Sequence, residues 1–209
     1  MSTLVQVIRE AIHANNLAVR VASPAIVQSF DPVAQTVVVV LALKRKGGED
    51  TDYSEVSVLL DVPVLLPSVA GFHITLPIQK GDECLVVFSD RCIDSWFDKG
   101  GVQQPAESRV HHISDGFAFI GVNSKPNTIP NFSASDLEIR NDAGTQLISL
   151  KSSGEVLIET DGNVTVNTPT ANFSGDIIAD GDVVASGVSL VNHTHGGVEA
   201  GGSNTGVPN

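Results

Sequence analysis

Residues 152–184 read SSGEVLIETDGNVTVNTPTANFSGDIIADGDVV, and the architecture of the chain turns on how such a stretch can fold. One unit recurs in it: Gly, a polar residue, then an apolar one. It appears as Gly154-Glu155-Val156, Gly162-Asn163-Val164, Gly175-Asp176-Ile177 and Gly181-Asp182-Val183, at intervals of six to thirteen residues. Short alternating segments accompany it, such as Leu137-Glu138-Ile139 and Val164-Thr165-Val166. This is a loose repeat of strand plus tight turn. Each strand offers two or three apolar side chains, and nothing in the segment supplies a second layer to cover them. A single-chain solenoid would have few residues for each rung. Three chains winding about one axis solve the problem. Each turn then adds three strands, the inward Val, Ile and Leu form one core, and closure leaves no free edge. The reading predicts a trimeric β-prism or β-helix, with Val156, Ile158, Val164 and Val166 facing inward; Leu157 interrupts simple alternation.

Upstream, the pattern differs. Leu4, Val7, Ile8, Ala11 and Ile12 fall at helical spacing and predict a helix over 3–16, capped by Ser2 or Thr3. Strands are expected at 18–30, 35–43, 56–66, 72–76, 83–89 and 116–122. They are separated by turn chemistry at Asp31-Pro32, Gly47-Gly48-Glu49-Asp50, Lys80-Gly81-Asp82 and Lys99-Gly100-Gly101. Five or six short strands with one helix suggest a small barrel, an OB-like Greek key being the natural candidate. Trp96 and Phe97 are expected in a helical turn or loop packed on that barrel, as ordinary core. The segment SKPNTIPNFSASD (124–136), with its two prolines and small polar residues, reads as a linker.

Downstream of the ladder stands Val191-Asn192-His193-Thr194-His195-Gly196-Gly197. In extended chain, residues i and i+2 share a face, so His193 and His195 can aim at one point. Two imidazoles make a poor metal cage. Threefold symmetry would bring six, which suits an octahedral ion; iron is the first choice, nickel the second, and zinc is weaker because it prefers four ligands. The glycines that follow let backbones crowd near an axis.

The formal net charge is −12, and the first 123 residues carry nine Lys and Arg against fourteen Asp and Glu. A nucleic-acid surface needs clustered cations, and the one basic run, Lys44-Arg45-Lys46, reads as a solvated turn. Neither a signal peptide nor an apolar run of membrane-spanning length is evident. Cys84 and Cys92 are expected as free thiols of a protein made in a reducing cytoplasm.

Four blocks carry a family resemblance. The tail HTHGGVEAGGSNTGVPN (193–209) resembles the apex motif of central spike proteins from contractile-tailed bacteriophage baseplates. VQSFDPVAQTVVV (27–39), LPIQKGDECLVVFSDRCIDSWFDKGG (76–101) and RVHHISDGFAFIG (109–121) resemble the N-terminal barrel domain of the same spikes. The resemblance implies an all-β homotrimer: an N-terminal OB-fold domain with a short helix (1–123), a linker (124–135), an intertwined triple-stranded β-helix (136–190) and a pointed apex (191–209). It implies one iron ion per trimer, held by His193 and His195 of each chain. It further implies a non-enzymatic spike at the tip of the virion's tail baseplate, made in the host cytoplasm and docked on the baseplate hub protein. Tail contraction would drive it through the host outer membrane. Relatives that insert a lysozyme domain do so where this chain has only the short linker.

Two other classes compete. A metal-dependent enzyme would use His111, His112 and Asp115 of HHISDG, or a hydrolytic zinc on His193 and His195. However, a catalytic metal needs an open coordination position, which six histidines do not leave, and no nucleophile motif is present. A binding module, either an OB barrel or a trimeric tail-fibre-like adhesin, would want stacking aromatics in a basic groove or a broad head. The acidic barrel and the narrow Gly-rich tip argue against both.

Overall fold

In the N-terminal region the buried side chains alternate along five strands, as a sheet with one covered face requires. The computed structural model describes residues 3–44, 53, 57–197, 201 and 202. After helix α1 (Leu4–Ala18) come β1 (Ala22–Asp31), β2 (Thr36–Leu41) and β3 (Val58–Pro63), a small hairpin β4 (Ser68–Val69) and β5 (Phe72–His73), then β6 (Glu83–Phe88), helix α2 (Asp94–Lys99) and β7 (Gly116–Ile120). The main sheet is antiparallel in the order β3-β2-β1-β6-β7. Its core is Ala25 and Val27, Val37, Val39 and Leu41, Leu59 and Val62, Cys84, Val86 and Phe88, and Ala118.

Two irregularities curl this sheet. Val27 pairs with Val39 and Ser29 with Val38, so Gln28 is an extra residue on β1. Val37 pairs with Val62 and Val39 with Leu59, so β3 also carries an extra residue, and Asp61 there has φ 53°. Such bulges bend a strand and increase its twist. The second also explains why Leu59 and Val62 both point inward although they are three apart. The edges of the sheet then meet: Val64 bridges Ala118 in parallel, and the Leu65 N–H donates to the Ala118 carbonyl at 2.9 Å.

Several expectations change. Thr3 caps α1 through a reciprocal capping box with Gln6; Ser2 lies outside the described residues. So do Arg45, Lys46, the Gly47–Asp50 turn, Val56, and 198–200 and 203–209 of the tail. The apolar stripe of α1 has no cover among the described residues: Leu4, Ile8 and Ile12 are half exposed or more. The strand expected at 72–76 shrinks to Phe72–His73, paired with Ser68–Val69 off the main sheet. Trp96 and Phe97 lie on α2 but are 46% and 45% exposed, so they are not core. The indole packs edge-on against Phe117 with ring centroids 5.6 Å apart.

The junction is also more ordered than a bare linker. It opens with a 3₁₀ turn, Lys125–Asn127. The Glu83 carboxylate accepts from the Ser124 amide, from the Ser124 hydroxyl at 2.8 Å and from the Asn127 side-chain amide at 2.8 Å. These bonds hold Glu83 below the usual carboxylate range. Beyond it, β8 (Leu137–Arg140), β9 (Gln146–Leu150) and β10 (Val156–Thr160) form an antiparallel three-stranded sheet within one chain. The first rungs of the ladder therefore pair with themselves. Val156 and Ile158 share a face, as expected, and Leu157 lies on the other, partly covered. From residues 161 to 183 no strand forms and every residue is exposed. A last hairpin, β11 (Val184–Ala185) with β12 (Val188–Ser189), follows.

Gly116 shows how tightly the barrel core is filled. A Cβ there would lie 2.7 Å from Cγ1 of the fully buried Val86 and 3.5 Å from the Phe88 ring. Gly116→Ala is expected to destabilise the barrel by about 1–3 kcal/mol. Urea unfolding followed by the fluorescence of Trp96, the single tryptophan, would show a lower midpoint; an unchanged midpoint would mean the core yields.

Candidate metal centre

The tip is built from a hairpin. Ser186 (φ 49°) and Gly187 (φ 82°) are the two left-handed central residues that a tight β11–β12 turn demands. The chain reverses, turns again at Leu190–Asn192, and delivers His193. The His193 Nδ1 lies 3.0 Å from the Ser189 carbonyl oxygen and 3.1 Å from that of Leu190. Carbonyl oxygens only accept, so Nδ1 must carry the proton. The lone pair then sits on Nε2, the free nitrogen. Fixing one ring nitrogen through a backbone carbonyl is the usual way a metal-binding imidazole is oriented.

His193 and His195 come together, with ring centroids 5.0 Å apart and planes inclined at 79°. Both are exposed. The donor set fits a transition metal in kind: two imidazoles, one with its ring orientation fixed by backbone carbonyls. It does not fit in number, because two nitrogens leave most of a coordination sphere open.

The histidines of HHISDG do not assemble into a second centre. The His112 Nδ1 accepts from the Ser114 amide at 3.2 Å. The His111 Nδ1 is buried without a partner, on a backbone with φ 46°. Asp115, fully buried, turns instead to Arg109. The guanidinium reaches both carboxylate oxygens, with Nε at 3.1 Å from Oδ2 and Nη2 at 2.9 Å from Oδ1. It also contacts Asp94 Oδ2 at 2.9 Å, Glu107 Oε2 at 2.9 Å and Cys92 Sγ at 3.1 Å.

Cys92, Asp94 and Asp115 bring their ligand atoms within 4.8 Å of one another, a spacing that would suit an ion. Arg109 already supplies the cation, so the group acts as a tie between the segment before α2 and the segment before β7. Cys84 and Cys92 are both buried free thiols; burial pushes Cys84 up to about 11. Arg109 was not legible as a site residue from the sequence. Its partners come from 92–94 and 107–115, and no local spacing announces that they meet.

The Arg109 tie makes a pH-dependent prediction. Burial by itself would raise the Asp115 carboxyl, but the Arg109 hydrogen bonds and charge, with the Ile93 amide, outweigh it and hold the group below the usual aspartate range. A depressed carboxylate stabilises fully above its unfolded value of about 3.9, and the contribution is lost as pH falls through the folded value. Arg109→Met leaves a buried charge unpaired and is expected to cost about 3–5 kcal/mol at neutral pH. Calorimetry of both proteins should show the gap narrowing in acid, where Asp115 protonates. A gap independent of pH would mean that lost packing, and not the ion pair, sets the cost.

Residues 23–121 match the family described as phage protein Gp138 N-terminal domain. Residues 187–209 match the GpV apex motif, which takes in both histidines. No curated protein matches the chain. One match covers the curled sheet and the other the histidine tip, in that order along the chain, and together they place it in the gpV-like family of phage baseplate spike proteins.

Proposed function

We propose that the chain forms the homotrimeric central spike of a contractile-tail baseplate, driven through the host outer membrane when the tail contracts. The observation that carries this reading is the uncovered face of the β8–β9–β10 sheet. Leu137, Leu150 and Val156 form one cross-strand row; Ile139, Ile148 and Ile158 form the next. All six are 46–63% exposed in the single chain. The opposite face is finished: Ser149 is buried, and Glu138 pairs with Arg140 at 2.9 Å. Three such sheets around an axis would cover all eighteen side chains at once.

Full burial of a large apolar side chain is worth about 1.5–3 kcal/mol. Half of that for each of six residues is roughly 5–9 kcal/mol per chain, enough to hold a trimer without a metal. The extended chain at 161–183 fits the same picture. With no strand partners of its own, its ladder hydrogen bonds would be made with the other two copies, as in an intertwined β-helix.

The reading assigns 1–123 to a barrel domain, 124–135 to the junction, 136–190 to the shaft and 191–209 to the apex. The spatial order β3-β2-β1-β6-β7, with parallel closure of β3 on β7, supports an OB-type barrel, which would dock on the baseplate hub protein. His193 and His195 of three chains would hold one ion, iron in preference to nickel or zinc. Bound there, it would tie the three chains together near the tip, where fraying would begin. The work comes from the contracting sheath, so the spike needs stiffness and a narrow point and no chemistry of its own.

Native mass spectrometry tests both parts. Three chain masses of 21.9 kDa plus one transition metal are expected. His193→Ala should lose the metal and remain trimeric, because the shaft holds most of the buried area. Ile148→Glu, at the centre of the apolar face, should yield monomer or aggregate. A monomeric wild type would overturn the spike reading; a trimer that Ile148→Glu leaves intact would move the interface elsewhere.

A further inference from the structure

The geometry points to Asp182 as the positioning residue of the histidine tip, acting on His193 through the segment 189–191. Asp182 precedes the apex-motif match, which begins at residue 187. The inference rests on the proposed metal role of His193.

Its carboxylate gathers the return strand of the hairpin. Oδ1 accepts the Val191 amide at 3.1 Å. The neighbouring Val183 carbonyl accepts the Leu190 amide at 2.8 Å. The Ser189 hydroxyl oxygen accepts the Asn192 amide at 2.8 Å. Ser189 and Leu190 are thereby held on both sides, and theirs are the two carbonyls that receive the His193 Nδ1 proton. Strand pairing ends at Ser189; past it the Leu190–Val183 bond holds one residue more, and Asp182 holds the next, Val191. Asp182 stands to His193 as an outer partner stands to a ligand, one step removed through the backbone, and it selects the tautomer that leaves Nε2 free.

The test compares Asp182→Ala with Asp182→Asn in the full-length protein. Asn keeps an oxygen acceptor for the Val191 amide; Ala removes it. Iron or nickel affinity, measured by competition with a chelator, is expected to fall about 10–100-fold for Asp182→Ala, the range typical of losing an outer partner. Asp182→Asn should stay near wild type. Nitrogen-15 NMR of labelled histidines in the metal-free protein gives a readout independent of metal. Wild type and Asp182→Asn should hold His193 as the Nδ1–H tautomer, and Asp182→Ala should show a mixture.

Native mass spectrometry checks that the variants assemble as the wild type does. Unchanged affinity and tautomer in Asp182→Ala overturn the proposal, and so does an Asp182→Asn protein as impaired as Asp182→Ala. If the wild type binds no metal, the tip reading fails, and the tautomer comparison still decides whether Asp182 positions His193.

Discussion

A three-stranded sheet can bury only what something else covers, and among the described residues nothing covers the face formed by Leu137, Ile139, Ile148, Leu150, Val156 and Ile158. The opposite face needs no partner, because it is closed by Ser149, Leu147, Leu157 and the Glu138–Arg140 pair. A sheet finished on one side and bare on the other is half of an interface. The segment that follows has the same incompleteness in its backbone, with no strand from 161 to 183. Side-chain burial and backbone pairing thus fail over adjoining stretches, and one arrangement of identical neighbours would satisfy both. The proposed trimer follows from that coincidence more than from either deficit alone.

The barrel stands in contrast because it is self-sufficient. Two bulges curl the sheet until Val64 meets Ala118, so its core is sealed within one chain. Arg109 then ties together segments that the sheet itself does not hold, pairing with a carboxylate that is wholly buried. Glu83 extends the order outward by gripping Ser124 and Asn127. In the proposed spike this gripping would have a mechanical sense: a junction that is hydrogen-bonded to the barrel would pass an axial push onward with less slack than a free tether. Among the described residues of the N-terminal half, the apolar stripe of α1 and Phe72 of the Ser68–His73 hairpin, 82% exposed, remain bare.

Legibility divided along the same lines. The strands of the barrel were readable because their apolar residues alternate with period two, and the start of α1 because Thr3 is a capping residue type. The 72–76 strand was over-read: Ile74 and Leu76 have apolar side chains but no partner strand beside them. Aromatics are usually core, yet α2 leaves Trp96 and Phe97 half exposed at the rim, Trp96 against Phe117. In HHISDG the residue types suggested a metal, but Asp115 answers to Arg109. Such a contact depends on where two loops meet, and loop meeting points have no period to read.

Period and spacing are local, so the sequence by itself determined the β character and the pairing of His193 with His195. The tertiary structure decided what depends on distant groups. It set that Val156 and Ile158 join Leu137, Ile139, Ile148 and Leu150 on one face while Leu157 takes the other. It set that Arg109 serves as the cation of the buried carboxylate, and that His193 is turned by carbonyls which Asp182 holds in place. The physical reason is the same in each case. A side chain's periodicity says which way it points, but its energy depends on what stands opposite, and only the folded chain brings that group there.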